Sequence, residues 1–168
     1  MLFRSVSQSR YGGNFRLHEL QAAFLRVKLR HLDQALKKRR ENAQKLIQLL
    51  QEKWKAVFST DQCICEGGKQ NTQSYPDGTI LLPFVCQNGE SGHTWNQFVV
   101  RIRGKGKRNS FREKLAQKHI QSEVYYPQSM HNQKCFAVGK YSYPNAERFC
   151  DEVLALPLQI KELMVKPW

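Results

Sequence analysis

A glycine pair followed by an asparagine and an arginine is the stretch of this chain whose residue types best fit a defined chemistry. Residues 11–16 read Tyr-Gly-Gly-Asn-Phe-Arg, and a helical pattern starts directly after them. Flexible backbone that leads into a helix N-terminus suits an anion, often a phosphate. Asn14 would donate an amide N–H to that anion, and Arg16 a charged one. The alternatives are that Asn14 only caps the helix beginning near Leu17 and that Arg16 is a surface charge.

The five cysteines predict reduced thiols and no bound metal. Cys63 and Cys65 form a C-x-C, and the other three are scattered at positions 86, 135 and 150. Structural zinc sites use paired spacings, and no second pair follows here. The sequence also has no apolar run of transmembrane length, and its first ten residues lack the apolar segment of a secretory signal. We therefore expect a cytoplasmic protein that does not span a membrane.

The positive charge is concentrated in two blocks. The chain carries 27 basic and 14 acidic residues, a formal net charge of +13. Residues 26–55 contribute +7, residues 101–118 contribute +7, and the remainder sums to −1. Three interpretations stay open: a surface for nucleic acid or another anion, the solvated faces of two helices, or a surface that meets an acidic partner domain.

The element that follows the glycine pair is a helix of unusual length. Apolar residues recur at helical spacing over residues 17–56, with basic residues between them and no proline. The apolar positions are Leu17, Leu20, Phe24, Val27, Leu32, Leu36, Ala43, Leu46, Leu50 and Trp54. We expect one long helix, or two in line, that bridges two domains or crosses a subunit interface.

A small sheet with helices packed on it is predicted after this helix. In order, we expect strand, strand, helix, strand and helix at 80–86, 94–103, 109–119, 123–126 and 144–154. Pro83 favours an edge strand for the first of these. Asn109 or Ser110 is the expected N-cap of the helix at 109–119, whose inner face would carry Phe111 and Leu115. Loops are expected over 59–79 and 128–142, with a turn at 88–92.

Two finer predictions concern the ends of these elements. Gly104 and Gly106 are expected to end the second strand, and Pro144 to occupy the first turn of the last helix. That helix would bury a stripe of four residues: Ala146, Phe149, Val153 and Leu154. Tyr125 and Tyr126 would point to opposite sides of their strand, one toward the core and the other toward a cleft or interface.

Five segments in order resemble the DegT/DnrJ/EryC1/StrS family of aminotransferases. Residues 13–23, G-N-F-R-L-x-E-L-Q-A-A, are similar to the family's G-x-N-x-R-x-x-E-x-Q-A-A. The others are L-x-x-L-D from Leu29 with Arg40 and Asn42-Ala43, H-x-W-x-Q-F-V-V-R from His93, V-Y-Y-P-x-x-x-H-x-Q from Val124, and P-x-A-E from Pro144 with V-L-x-L-P-L from Val153. Together they cover most of the chain. Members of the family are pyridoxal-phosphate enzymes of the aspartate aminotransferase fold (fold type I), and most act on nucleotide-linked keto sugars.

The resemblance implies roles for four residues. Asn14 matches the asparagine that reaches the cofactor phosphate of the neighbouring subunit in a dimer, and Arg16 would be a further contact there. His131 would lie near the pocket for the nucleotide-linked sugar, and we expect substrate contacts from His131 and Tyr126. The alternative for His131 is a loop histidine bonded to backbone. His93, at a strand start, is expected to be structural.

Other parts of the family's machinery have no counterpart here. The lysine that binds the cofactor, the acid that pairs with the pyridinium nitrogen and the aromatic residue that stacks on the ring all lie upstream of the asparagine motif in the family. Glu66-Gly67-Gly68-Lys69 is similar to the lysine segment, but it follows Asn14, and its lysine comes after the glycines. We therefore expect no catalytic residue in these 168 residues. The cofactor would be held mainly by a large N-terminal domain that they do not contain.

The resemblance implies an α/β (α+β) fold, that of the small C-terminal domain of fold type I. We expect a motif-bearing loop at 1–16, a long bridging helix at 17–56 and the small domain at 57–168, with a mostly antiparallel sheet. The implied function is the C-terminal segment of a homodimeric enzyme that transfers an amino group, usually from glutamate or glutamine, to a nucleotide-linked keto sugar. Alone, the segment would be inactive.

Two other functions stay open. One is a stand-alone basic module that binds nucleic acid or another anionic partner, although the sequence has no RNP-type motif and its basic residues fall mostly on helix faces. The other is an inactive remnant. In that case the long helix would expose an apolar stripe and favour self-association.

Overall fold

The computed structural model describes residues 17–59, 74–83, 93–136 and 141–158. The turn predicted at 88–92 and most of the loop predicted at 59–79 lie outside these residues. Within them the chain forms an α+β fold in which helices pack on a four-stranded sheet of order β1-β2-β3-β4. No helix in the described ranges combines the length and apolarity that crossing a membrane requires.

The predicted helical stretch is present as two helices. α1 spans Glu19–Leu29 and α2 spans Leu32–Trp54, with a turn at Arg30 and His31 between them. α1 buries no residue, whereas the C-terminal half of α2 buries a short stripe: Ala43, Leu46, Leu49 and Leu50. The apolar pattern is therefore continuous in sequence, but only its last part faces the core of the described structure.

The sheet joins one parallel and two antiparallel pairs. Its strands are β1 (Val57–Phe58), β2 (Ile80–Leu82), β3 (Phe98–Ile102) and β4 (Val153–Leu156). β1 pairs parallel with β2, and the β2–β3 and β3–β4 pairs are antiparallel. The prediction that β2 is an edge strand is wrong, because β1 pairs with its other side. β2 ends at Leu82, so Pro83 lies outside the ladder and its missing N–H costs no hydrogen bond there.

The predicted strand at 123–126 is reduced to a single bridge. Glu123 exchanges both backbone hydrogen bonds with Ala155, at 3.0 and 2.8 Å. The peptide bond between Tyr125 and Tyr126 is cis. β4, which was not predicted as a strand, pairs with β3 over its whole length through four residue pairs. It therefore takes the place in the sheet that the sequence pattern assigned to 123–126.

Two glycines connect β3 to the next helix, as predicted. Gly104 and Gly106 have φ values of +94° and +77°, which side chains disfavour. A Cβ at Gly104 would lie 2.6 to 2.8 Å from the carboxylate of Asp77, so this position also has no room for a side chain. α3 spans Lys107–Gln117, and its N-cap is Gly106. The prediction of Asn109 or Ser110 as the cap is wrong, because the glycine turn itself starts the helix.

The last helix begins as predicted but buries different residues. α4 spans Pro144–Glu152 with Pro144 in its first turn. Ala146 is exposed, and Val153 and Leu154 belong to β4. Of the four residues predicted for the stripe, only Phe149 both lies on α4 and is half-buried, so the prediction is wrong for the other three. The residue that α4 fully buries is the charged Glu152.

The core lies between the sheet and the helices. Leu46 and Leu50 of α2, Phe98 and Val100 of β3, and Leu115 of α3 are all fully or almost fully buried in one cluster. As predicted, α3 turns Phe111 and Leu115 inward: Leu115 is buried, and Phe111 packs against the cluster.

Candidate functional site

The N-terminus of α1 is closed by its own side chains. Nδ1 of His18 accepts the backbone N–H of Leu20 at 3.3 Å, and Oε1 of Gln21 accepts the backbone N–H of His18 at 3.2 Å. This reciprocal arrangement is a capping box. His18 is therefore the N-cap, a role that was not predicted, although a polar residue followed three positions later by glutamine is a local signal for it.

Asn14 and Arg16, the residues predicted to contact a phosphate, lie outside the described residues. What the structure describes at this end of α1 is the cap formed by His18.

His131 is held by a carboxylate rather than by backbone. It lies in a short 3-10 helix, Met130–Asn132, and its Nε2 is 2.8 Å from Oε1 of Glu147 on α4. Oγ of Ser129 lies 3.4 Å from the same nitrogen, and the ring packs edge-on against Tyr143 with centroids 4.9 Å apart. The side chain of His131 is 11% exposed. The structure thus replaces the backbone alternative with a defined histidine–glutamate pair.

Glu147 is the acceptor that organises this pair. Besides His131, its Oε1 accepts the backbone N–H of Tyr143, the N-cap residue of α4, at 3.2 Å. The hydrogen bond from His131, followed by the one from Tyr143, lowers the pKa of Glu147. Glu147 belongs to the P-x-A-E segment, but spacing alone gave no reason to connect it with a histidine sixteen residues earlier.

The two tyrosines have different surroundings. Tyr126 is 66% exposed, whereas Tyr125 is half-buried and lines a groove described below. That groove includes neither Tyr126 nor His131 in its wall.

His93 has a structural role, in agreement with its interpretation from the sequence. Its Nδ1 accepts the backbone N–H of Trp95 at 3.0 Å, and its ring lies against the Trp95 indole with centroids 4.1 Å apart. Its carbonyl lies 3.5 Å from the Nε of Arg40 on α2. These contacts hold the segment before β3 against α2.

A groove of about 1180 Å³ opens beside the sheet, where β3 begins and β4 ends. Its walls come from the middle of α2, the end of α3 and the segment around Glu123. Lys38 and Arg39 enter it from α2, and Arg112 enters it from α3. The two basic blocks of the sequence therefore meet here, a convergence that no linear pattern could reveal.

A buried ionic cluster fixes α4 to β3. Arg101 and Glu152, which are 5% and 4% exposed, form an ion pair at 2.8 Å, and Arg103 reaches the other oxygen of Glu152 at 3.0 Å. The guanidinium of Arg101 lies 4.2 Å from the centroid of the Phe149 ring. Breaking such a pair on one side leaves an uncompensated buried charge, so we assign these residues to stability.

The described cysteines and acidic residues offer no metal centre. Within the described ranges, no three histidine, cysteine, aspartate or glutamate side chains cluster as a metal ion would require. Cys135 and Cys150 are free thiols, and burial raises the pKa of Cys150, which keeps it protonated at neutral pH. Cys63, Cys65 and Cys86 lie outside the described residues.

Curated relatives match nearly all of this chain. It is 31% identical over 148 residues to the dTDP-3-amino-3,6-dideoxy-alpha-D-galactopyranose transaminase of Aneurinibacillus thermoaerophilus, covering 88% of this chain and 32% of that protein. A pleiotropic regulatory protein of Geobacillus stearothermophilus is 33% identical over 156 residues, covering 90% of this chain and 35% of the relative. The erythromycin biosynthesis sensory transduction protein EryC1 of Saccharopolyspora erythraea is 31% identical, with 88% and 33% covered. The chain thus spans about a third of the length of these relatives.

A solved structure and a family profile agree with these matches. The crystal structure of S. venezuelae DesV in complex with a ketimine intermediate superposes with a TM-score of 0.61 at 27% identity, covering 92% of this chain and 34% of DesV. This likeness confirms the predicted α+β fold of a fold type I aminotransferase. The family profile matches residues 2–163. With almost its whole length matched, the chain belongs to the DegT/DnrJ/EryC1/StrS aminotransferase family.

Proposed function

We propose that these residues are the C-terminal portion of a pyridoxal-phosphate-dependent, homodimeric aminotransferase. Its reaction would move an amino group from glutamate or glutamine to a nucleotide-linked keto sugar. The observation that carries the proposal is the family profile over residues 2–163 combined with coverage of only about a third of each relative. The printed activity of the A. thermoaerophilus relative, a transaminase of a dTDP-linked sugar, supports this substrate class.

The exposed face of α1 supports a role as an attachment surface for the rest of the enzyme. Leu20, Phe24 and Val27 follow one another at spacings of four and three residues and are 66%, 71% and 57% exposed. Residues so spaced lie on one side of a helix. Contiguous exposed apolar surface marks an interaction site. We infer that the remaining two-thirds of the protein, as found in the relatives, covers this face.

Asn14 and Arg16 are the residues proposed to hold the cofactor phosphate. The capping box takes up the backbone N–H groups of His18 and Leu20, and the side chains of Asn14 and Arg16 are the donors proposed for the phosphate. An amide and a guanidinium fit that ligand. When bound, pyridoxal phosphate supplies the electron sink for amino transfer.

His131 and Tyr126 remain the proposed substrate contacts. The bond from Nε2 of His131 to Glu147 fixes the imidazole, while the exposed Tyr126 ring is accessible to a ligand. No catalytic residue is proposed within these 168 residues. Amino transfer therefore requires the lysine-bearing domain, and we expect the 168-residue chain alone to be inactive.

A chimera tests this function. The N-terminal two-thirds of the A. thermoaerophilus transaminase would be joined to this chain, and pyridoxal phosphate binding and amino transfer from glutamate to a dTDP-linked keto sugar would be measured. We expect both in the chimera and neither in the 168-residue chain alone. Loss of the Asn14 amide in Asn14→Ala should raise the Kd of the chimera for the cofactor about tenfold, since a hydrogen bond to a charged group contributes about 1.5–3 kcal/mol. Ser9→Ala, upstream of the motif, is the matched control.

Each part of the proposal can fail separately. Amino transfer by the 168-residue chain alone would contradict its dependence on the rest of the enzyme. A chimera that circular dichroism shows to be folded, but that binds no pyridoxal phosphate, would contradict the family function. Equal cofactor affinity in Asn14→Ala and Ser9→Ala would contradict only the role of Asn14.

A further inference from the structure

We propose that Glu147 is a positioning residue that fixes the tautomer of His131, so that the neutral imidazole carries its proton on Nε2 and offers Nδ1 as a hydrogen-bond acceptor. The starting observation is the distance of 2.8 Å between Nε2 of His131 and Oε1 of Glu147. A contact that short is a hydrogen bond, so one of the two atoms carries the proton. Its position decides what His131 offers to a ligand, because the two nitrogens of a neutral imidazole have opposite hydrogen-bonding roles.

Oε1 of Glu147 acts as an acceptor toward a second group as well. It takes the backbone N–H of Tyr143 at 3.2 Å. That bond favours the ionised carboxylate, and the lowered pKa of Glu147 agrees with ionisation at neutral pH. Because an ionised carboxylate only accepts hydrogen bonds, the proton of the short contact is on Nε2 of His131.

Ser129 does not favour the opposite tautomer. Its Oγ lies 3.4 Å from Nε2 of His131 and accepts the side-chain N–H of Asn132 at 2.9 Å. With the proton on Nδ1, the lone pairs of Nε2 and of Oε1 of Glu147 would face each other at 2.8 Å. A long bond from a neutral hydroxyl would be the compensation, and it is weaker than a bond to a carboxylate.

Both members of the pair are held by their own elements. The backbone N–H of Glu147 donates to the Tyr143 carbonyl at 3.0 Å, while the Glu147 side chain accepts the Tyr143 N–H, so the start of α4 fixes the carboxylate. The 3-10 helix that carries His131 is closed by the bond from the N–H of Asn132 to the carbonyl of Ser129 at 3.0 Å. The His131 ring also packs edge-on against Tyr143. These contacts set the direction of Nδ1.

Nδ1 is the nitrogen of His131 that remains for a ligand. Among the residues that the structure describes, it forms no hydrogen bond, and the side chain is 11% exposed. As an acceptor it suits a hydroxyl or an amine N–H, and it disfavours an ionised carboxylate, which offers only lone pairs. That this ligand group belongs to a substrate rests on the proposed function, whereas the tautomer itself does not.

NMR of the imidazole nitrogens and their protons in the 168-residue chain tests the proposal. The chain has five histidines, and the signals that disappear in His131→Gln belong to His131. At about pH 8.5, where an unperturbed imidazole is neutral, we expect the proton of His131 on Nε2. Exchange of this proton with water should be at least about tenfold faster in Glu147→Ala, which loses a hydrogen bond to a charged group.

Two further variants separate the tautomer from general effects. Glu147→Gln retains a side-chain oxygen that can accept both N–H groups, so it should keep the proton on Nε2 and restore most of the protection. Asp151→Asn removes an exposed carboxylate from the same helix and is the matched control. It should change neither the tautomer nor the exchange rate by more than about twofold, because exposed charges are screened by salt.

Three results would overturn the proposal. A proton on Nδ1 in the unaltered chain would contradict it directly, and that measurement depends on no variant. Equal exchange rates in Glu147→Ala and the unaltered chain would show that Glu147 does not hold the proton. Equal acceleration in Glu147→Ala and Asp151→Asn would assign the effect to net charge. Should Glu147→Ala fail to fold, the unaltered chain and Glu147→Gln still locate the proton. None of these measurements involves amino transfer, so failure of the proposed function would leave their result unchanged.

Discussion

At the scale of single residues, Glu147 shows how one acceptor joins two elements. Its Oε1 takes the N–H of Tyr143 at the start of α4 and Nε2 of His131 from the 3-10 helix. Both bonds favour the ionised carboxylate and lower the pKa of Glu147. A lowered pKa means that the unfolded chain binds the proton more readily, so stability from this group is present above the ordinary glutamate pKa of about 4.3. That stability is lost as the pH falls through the folded value.

The predicted consequence concerns Glu147→Gln. At pH 7 its Tm should lie below that of the unaltered chain, because a neutral amide is a weaker acceptor than a carboxylate. The difference should begin to shrink as the pH falls below the ordinary glutamate pKa of about 4.3, and should vanish once the pH lies below the lowered pKa of Glu147 in the folded chain, where its carboxylate is also neutral. Thermal unfolding followed by circular dichroism between neutral and acidic pH measures both effects.

The control for this prediction is Glu113→Gln on α3. Glu113 is exposed and forms no ion pair among the residues that the structure describes. Its Tm difference from the unaltered chain should be small and independent of pH. A pH-independent deficit in Glu147→Gln would mean that packing, not ionisation, explains the contribution of Glu147.

Residue roles in this chain were predictable from sequence only where the signal is local. The structural role of His93 needs only contacts with Trp95, two residues away, and it was predicted from the sequence. The cap formed by His18 and Gln21 is equally local, but histidine is a less usual capping residue than serine or aspartate, and it was missed. The pairing of His131 with Glu147 depends on how two elements pack, which no spacing encodes.

At the scale of elements, Arg108 links α3 to the end of α4. It is 8% exposed, and its Nη1 donates to the carbonyls of Cys150 at 3.1 Å and Val153 at 3.3 Å. Carbonyls at a helix C-terminus have no partner within the helix, and cations there are also favoured by the helix dipole. Burial lowers the pKa of Arg108, yet an arginine stays charged at neutral pH.

Replacing this arginine should therefore destabilise the fold. Arg108→Met keeps much of the side-chain volume but leaves two carbonyls without their donor. We expect a loss of about 1–3 kcal/mol in the free energy of unfolding, the usual penalty for an unsatisfied buried polar group. Urea denaturation measures it, with the exposed neighbour Lys107→Met as the matched control. A loss of equal size in both variants would contradict the capping role.

Elements of this chain were predictable where one period dominates a long segment. The helical pattern over 17–56 and Pro144 at the start of α4 are both present in the structure. The prediction of which segments form strands, and of their place in the sheet, failed where pairing with another strand decides the outcome. Pro83 led to the prediction that β2 is an edge strand. Its parallel partner β1 has only two residues, too few to show a strand pattern in the sequence. Likewise, β4 and not 123–126 completes the sheet, because β4 matches β3 over four pairs.

At the scale of the whole molecule, apolar and basic surfaces lie on different parts of the segment formed by α1 and α2. The C-terminal half of α2 packs into the core, the middle of α2 carries basic residues into the groove, and α1 presents apolar side chains to solvent. The apolar positions predicted as one continuous stripe therefore lie on two different surfaces, one exposed and one in the core. Its last part stabilises the described fold, and its first part is exposed on α1.

The exposed apolar face of α1 predicts self-association of the isolated chain. With Leu20 and Phe24 each more than 60% exposed, two copies can bury apolar area against each other, and burial contributes roughly 25 cal/mol per Å². Sedimentation velocity should show an average mass that rises with concentration. Leu20→Gln/Phe24→Gln should restore a monomer, whereas Arg26→Gln/Lys28→Gln on the same helix should not. A concentration-independent monomer of the unaltered chain would contradict a missing partner surface on α1.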